Sequence, residues 1–343
     1  MQQVYALDEK ERRKLAFLYH HSGIRTRYSV LPDYSRAPGE WKFYPHSENL
    51  EPFPSLELRM AWYHKYAAAL SVDAIRQCLD GQIASGAVTH LITVSCTGMS
   101  APGLDLQVME LLDLPRNIYR TSVNFMGCYA GIHAMKMADA ICKADKRAQV
   151  LLVCTELCTL HFQKEATADN MASSLLFADG AAAALVTHDD NARRGWHIDS
   201  FYAEIVAKGK KDMAWELSGN GFLMTLSNYI PDLIAEDFEA LAGRALQEGG
   251  QTKDSITHWC IHPGGKRILE MIGKAMQLPD GSLQRCYDVL SSFGNMSSAT
   301  ILFVLKEIMH GRQSTTTTEK AKVFGAAFGP GLTMETFLLS RDS

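Results

Sequence analysis

Three features of the sequence predict an α/β protein built in stacked layers. Two short runs, Val88–Ser95 (VTHLITVS) and Gln149–Thr155 (QVLLVCT), are too uniformly apolar for half-exposed positions. They read as central strands of a sheet covered on both faces. Helical spacings follow such runs, so strands and helices alternate, as layered α/β architectures require. The second half also echoes the first. Val88-Thr89-His90 opens one buried strand and Ile256-Thr257-His258 another; each is followed by Pro-Gly (Pro102-Gly103; Pro263-Gly264) and then a helical pattern. A chain of 343 residues suits two ordinary domains or one large duplicated domain. The clearest polar interruption, Asp189–Gly195 (DDNARRG), divides it into halves 1–190 and 191–343.

Residues 8–22 form a helix with several basic positions, and Leu31 to Phe53 is irregular and Pro-rich. A long helix follows over Ser55–Gly81, with Leu58, Met60, Ala61, Tyr66, Ala69, Leu70, Val72 and Ile75 on its apolar face. Ser100-Ala-Pro-Gly103 turns the chain into a helix at Leu104–Leu112. A short apolar run from Ile118 reaches a tight turn at Gly127-Cys128, and a helix continues with Ala130, Ala134, Met137, Ala138 and Ile141 on one face. Ser173–Val186 reads as two short strands around a Gly turn. Gln313–Lys320 is a polar loop, and Val323–Leu339 closes the chain with strands around Phe328-Gly-Pro-Gly331.

Composition narrows the function. A net charge of -4, without a basic stripe carrying interleaved aromatics, argues against a nucleic-acid partner. No apolar run approaches a membrane span, and the charged start MQQVYALDEKERRK has no apolar signal core. The eight cysteines lack paired framework spacing and read as reduced thiols, which points to the cytoplasm.

Cys128 is the candidate nucleophile. At a strand-to-helix turn its sulfur lies near unpaired amide N–H groups and the positive end of the helix dipole, which favours thiolate. The alternative is a buried small hydrophobe; the flanking Gly127 and Gly131, which allow close approach, favour the nucleophile. His262, in WCIHPGGK, ends a buried strand before a Gly-rich turn, and Asn295, in SSFGNMSSAT, lies between Gly294 and a helix start. Strand ends beside glycine turns are where catalytic groups project into a shared crevice. An imidazole can pair with the thiol, and an Asn amide can donate to an oxyanion.

With these residues the chain resembles the type III polyketide synthases, the chalcone synthase-like branch of the thiolase fold. Cys128 lies in their nucleophile context (NFMGCYAG), His262 in their HPGG motif, Asn295 in their GNMSSA motif, and FGPGLTMET matches their C-terminal loop. LFADGAAAALV and the TEL run from Thr155 match as well, so the likeness extends over nearly the whole chain from about residue 10. The resemblance implies a duplicated α-β-α-β-α fold and an acyltransferase working as a homodimer. It implies that Cys128 takes an acyl group from a starter acyl-CoA, with His262 as its ion-pair partner. Donors from His262 and Asn295 then hold the enolate formed when malonyl-CoA loses CO2, and the carbanion extends the Cys128 thioester. CoA thioesters are the implied partners, with no metal, redox cofactor or carrier protein.

The implied aromatic gate falls on Trp196 and Met224, the second not aromatic, and Trp215 stands where plant members keep a glycine. Met224 is flexible and suits a flexible aliphatic starter; the alternative is that Met224 and Trp215 are plain core residues. Of three basic residues that hold CoA phosphates in plant members, only Lys14 is matched, with Phe17 and His21 at the others. Arg25, Arg27, Lys266 or Arg267 could compensate, and Lys14, Arg267, Gly264 and Gly265 are the expected CoA contacts. The chain also begins about 20 residues late, without the family's first buried strand, which is expected to leave a sheet edge open. Competing readings are a β-ketoacyl carrier-protein synthase III, a papain-like protease (whose local cysteine signature is absent), and a catalytically silent thiolase-fold subunit. A Cys154–Cys158–His161 metal site offers only three ligands and is set aside.

Overall fold

The computed structural model describes Tyr5 and residues 8–47, 49–188, 195–227, 229–311 and 321–341. The polar interruption at 189–194 and the whole polar loop at 313–320 lie outside these residues, as does the boundary between the expected halves. Among the described residues, no helix is long and apolar enough to cross a membrane.

Helix α1 (Glu9–His21) starts at Asp8, whose carboxylate accepts the Glu11 N–H at 2.8 Å. Helix α2 (Leu56–Leu79) is capped by Ser55. Between them the chain is irregular apart from two single turns, as its prolines require. Strand β1 (His90–Ser95) lies between β2 (Tyr119–Asn124) and β3 (Gln149–Leu157), parallel to both, and β4 (Asp179–Thr187) pairs antiparallel with β3. The second sheet repeats this path. Strand β8 (His258–Ile261) runs parallel to β9 (Ala321–Gly329), which pairs antiparallel with β10 (Thr333–Arg341). The duplication expected from the Thr-His echo is therefore present in the topology.

The repeat is unequal at both edges: β2 flanks β1, whereas β8 has no strand on that side among the described residues. The outer edge of β10 is paired by β5 (His197–Ile205), whereas the corresponding edge of β4 has no strand partner among the described residues. Gly180 to Thr187 are correspondingly half-buried, as an open sheet edge dictates.

Strand β3 has helices on both faces. Val150, Leu152 and Cys154 join the core around α4 (Ala130–Ala144) and α9 (Thr300–His310); Leu151 and Val153 join the core under α2 and α3 (Leu104–Leu111). All five side chains are 0% exposed, and each such burial contributes about 1.5–3 kcal/mol for the larger residues. Helices α4 and α9 lie between the sheets, and α6 (Ile230–Glu248), with α7 (Lys266–Ala275) against it, packs on the second.

One expectation changes. Ser173–Leu176 belongs to a helix, α5 (Ala168–Leu176), because the Thr167 hydroxyl accepts the Asn170 N–H at 3.1 Å and starts it upstream. Only the second half of that segment is strand. The run before Cys128 is an edge strand in which Val123 alone is buried.

Glycines set how closely the halves approach. A Cβ on Gly131 would stand 2.6 Å from the Ser298 carbonyl oxygen, so α4 meets the turn before α9 backbone to backbone. Gly131→Val should destabilise the protein by about 3 kcal/mol, by analogy with overpacked cores. Urea unfolding would show this as a lower midpoint at unchanged slope.

Candidate active site

A cavity of about 400 Å³ opens where the two sheets' strand ends meet. Cys128, after β2, His262, after β8, and Asn295, after α8 (Gln284–Phe293), all line it. Gly127 has a φ of +79° and its Cβ would fall 2.1 Å from Pro330, so the Gly-Pro-Gly turn is seated on the nucleophile turn. Only glycine satisfies both conditions.

Cys128 opens onto the cavity rather than bulk water, so its surface is partly free while protein surrounds its sulfur. The thiol lies 3.7 Å from Ser297 Oγ, and burial pushes its pKa up to about 12. His262 is 2% exposed, and neither ring nitrogen has a hydrogen-bond partner. Burial pushes this imidazole down to about 3. With no charged partner beside either group, burial opposes both the thiolate and the imidazolium. The arrangement suits proton transfer to His262 during attack instead.

The other histidine on the cavity, His161, cannot take that part. Its Nε2–H donates to the Thr97 carbonyl at 2.7 Å and its Nδ1 accepts the Phe222 N–H at 3.1 Å. Asn295 Oδ1 accepts the Ser297 N–H at 2.8 Å, while Nδ2 donates to the Gly264 carbonyl at 3.3 Å. One amide N–H remains for an oxyanion. Ser297 itself adopts φ +48°, unusual for a non-glycine residue and frequent at functional turns.

Hairpin β6 (Met213–Ser218) and β7 (Gly221–Leu226) forms one wall, with Trp215 directly opposite Met224. Trp215 Nε1–H donates to the Cys96 carbonyl at 2.7 Å, and Phe222 stacks on His161 at 4.1 Å between centroids. Both residues thus belong to the pocket. Trp196 does not: it precedes edge strand β5 and packs in the core away from the cavity. Phe177, between α5 and β4, also lines the cavity, with its carbonyl accepting from Arg27 Nη1 at 2.8 Å. It was missed because its segment was read as two short strands around a Gly turn.

The cationic candidates separate likewise. Arg25 and Arg27 line the cavity, as does Gly264. Arg267 is engaged with Asp232 at 2.7 Å and Lys266 with Glu270 at 3.5 Å. Lys14 lies exposed on α1, and neither Lys14, Arg267 nor Gly265 borders the cavity. Phe17 stacks on His21 instead of offering charge.

Residues 3–190 match the chalcone and stilbene synthases' N-terminal domain and residues 197–341 their C-terminal domain. The chain belongs to this family of type III polyketide synthases. It is 30% identical over 330 residues to Probable polyketide synthase 1 of Dictyostelium discoideum, covering 94% of this chain but only 10% of that much longer protein. The alpha-pyrone synthesis polyketide synthase-like Pks18 of Mycobacterium tuberculosis is 28% identical, with 97% of this chain and 83% of that one covered. Among solved structures, PKS-I of the brown alga Ectocarpus siliculosus superimposes with a TM-score of 0.89 at 27% identity over 97% of this chain and 90% of that one. The C-terminal type III domain of Steely1, a type I/III hybrid from Dictyostelium, gives 0.89 at 27% identity over 100% and 94%. The duplicated layers are thus those of the thiolase fold.

If His262 is the proton acceptor, His262→Gln should slow alkylation of Cys128 by iodoacetamide at pH 7 at least about tenfold. Labelling of the variant should recover only at alkaline pH, because its thiol keeps the raised pKa without a base.

Proposed function

We propose that the chain is a malonyl-CoA-dependent acyltransferase that builds a polyketide on Cys128. The observation that carries this is the set of unspent polar atoms on one cavity: a thiol, an imidazole with two unpartnered nitrogens, and one amide N–H. In the first step Cys128 sulfur attacks the thioester carbonyl of a starter acyl-CoA as His262 accepts the thiol proton. CoA leaves as thiol, taking that proton, and the acyl group stays on sulfur. Malonyl-CoA then places its thioester oxygen between His262 and Asn295 N–H. Cleavage of its carboxylate as CO2 leaves an enolate on that oxygen, where each preorganised donor is worth roughly 3–4 kcal/mol. The enolate carbon attacks the Cys128 thioester, sulfur departs as thiolate, and a chain two carbons longer remains on CoA. Return to sulfur repeats the cycle.

The starter is a flexible aliphatic acyl-CoA. Trp215 narrows one wall while Met224, unbranched and adaptable, faces the acyl path. Arg25, exposed at the mouth and bonded only through Nε to Ser291 Oγ at 2.8 Å, leaves its other guanidinium nitrogens for the CoA phosphates. Homodimerisation is supported by the edge of β2, which has no strand partner among the described residues and where Tyr119 is 72% exposed. Eight free cysteines agree with a reducing compartment such as the cytoplasm. The family match favours this reading over a carrier-protein synthase, a protease or a silent subunit.

Incubation with labelled malonyl-CoA and acyl-CoAs of increasing length, followed by product mass analysis, tests it. Extended products should form from aliphatic starters, vanish in Cys128→Ala, and fall about 10²–10³-fold in Asn295→Ala. Undiminished product from Cys128→Ala would rule the reading out.

A further inference from the structure

Glu156, on β3, is 0% exposed and forms no ion pair among the described residues. Its Oε2 accepts the Cys96 N–H and the Thr97 hydroxyl, both at 2.9 Å, and its Oε1 is bonded to the Ser298 hydroxyl. These partners belong to different halves of the chain. Cys96 and Thr97 follow β1 and form the pocket wall: their carbonyls receive Trp215 and His161, and Cys96 Sγ accepts the N–H of Gly127 at 3.0 Å. Ser298 follows Ser297, whose left-handed backbone places its hydroxyl on the Cys128 sulfur and its N–H on Asn295. A single carboxyl group thus joins the pocket wall to the turn that carries the oxyanion donor.

Its charge state matters because of what surrounds it. The titratable groups facing it are Tyr63 from α2, Cys96 after β1, Cys154 on β3, Cys158 beyond β3, and Cys128, and ionised Glu156 opposes ionisation of each. A protonated Oε1 donates to Ser298 Oγ while Oε2 still accepts two bonds, so the network survives without the charge.

We propose that Glu156 is a positioning residue that fixes the Ser297–Ser298 turn against the Cys96–Thr97 wall, and that it does so uncharged, sparing Cys128 a neighbouring anion as its sulfur gains charge. Burial without a cation, which pushes this carboxyl up to about 7, agrees with that state. The inference rests on Cys128 being the nucleophile, and its test reads the thiol directly rather than product.

Iodoacetamide labelling of Cys128, quantified by peptide mass, would be followed from pH 6 to pH 8 in the wild type and in Glu156→Gln. The two should label alike at pH 6, where both side chains are neutral. At pH 8 the Gln variant should be faster by about threefold or more, because only the wild type then carries the charge. Equal rates at both pH values, a variant faster at both, or a variant slower at both would each overturn the proposal. Glu156→Ala, which removes all three bonds, should lower kcat at least about tenfold with little change in starter KM; a change in KM alone would contradict the positioning role. If that variant does not fold, the Gln comparison still decides. Failure of Cys128→Ala to abolish product would instead remove the functional reading, whatever Glu156 does.

Discussion

The site depends on a contact between two turns with no side chain between them. Gly131 at the start of α4 lets the helix touch the Ser298 carbonyl, and Gly127 admits Pro330 beside the nucleophile. Each half-domain carries part of the chemistry at the end of its own strands, so neither holds a complete site. Close backbone approach brings a thiol from one half onto the same cavity as the imidazole and amide of the other. The core on either side, dense with fully buried β-branched and aliphatic residues, holds that approach rigid.

Electrostatics then selects how the chemistry proceeds. A cavity that excludes water raises the thiol and lowers the imidazole, which disfavours separated charges before substrate arrives. The same dryness makes each aligned donor stronger once an enolate forms. A neutral resting pair that transfers its proton only during attack is consistent with both facts. His161 illustrates the contrast: with both nitrogens engaged it is a wall, although it is the same residue type on the same cavity.

Much of this was legible in the chain. Cys128, His262 and Asn295 each stand at a strand or helix end beside a glycine, and local pattern is enough to find such places. The duplication was visible in the Thr-His echo because the echo marks equivalent strands, β1 and β8. What local pattern missed depends on tertiary neighbours. Ser173–Leu176 has strand-like composition, yet the Thr167 cap upstream makes it helix, and that hid Phe177 as one of the aromatics lining the cavity. The resemblance placed an aromatic gate on Trp196, but that residue precedes edge strand β5 and does not line the cavity. Burial, which no motif encodes, opposes the thiolate that the helix start favours.

The most direct measurement is the mass of the intact protein after brief exposure to an acyl-CoA without malonyl-CoA. The account predicts a gain of one acyl group, located by peptide mapping on Cys128 and absent from Cys128→Ala. An acyl group on Cys96 or Cys158, the other thiols on the cavity, or turnover with no acyl-protein at any time would contradict it.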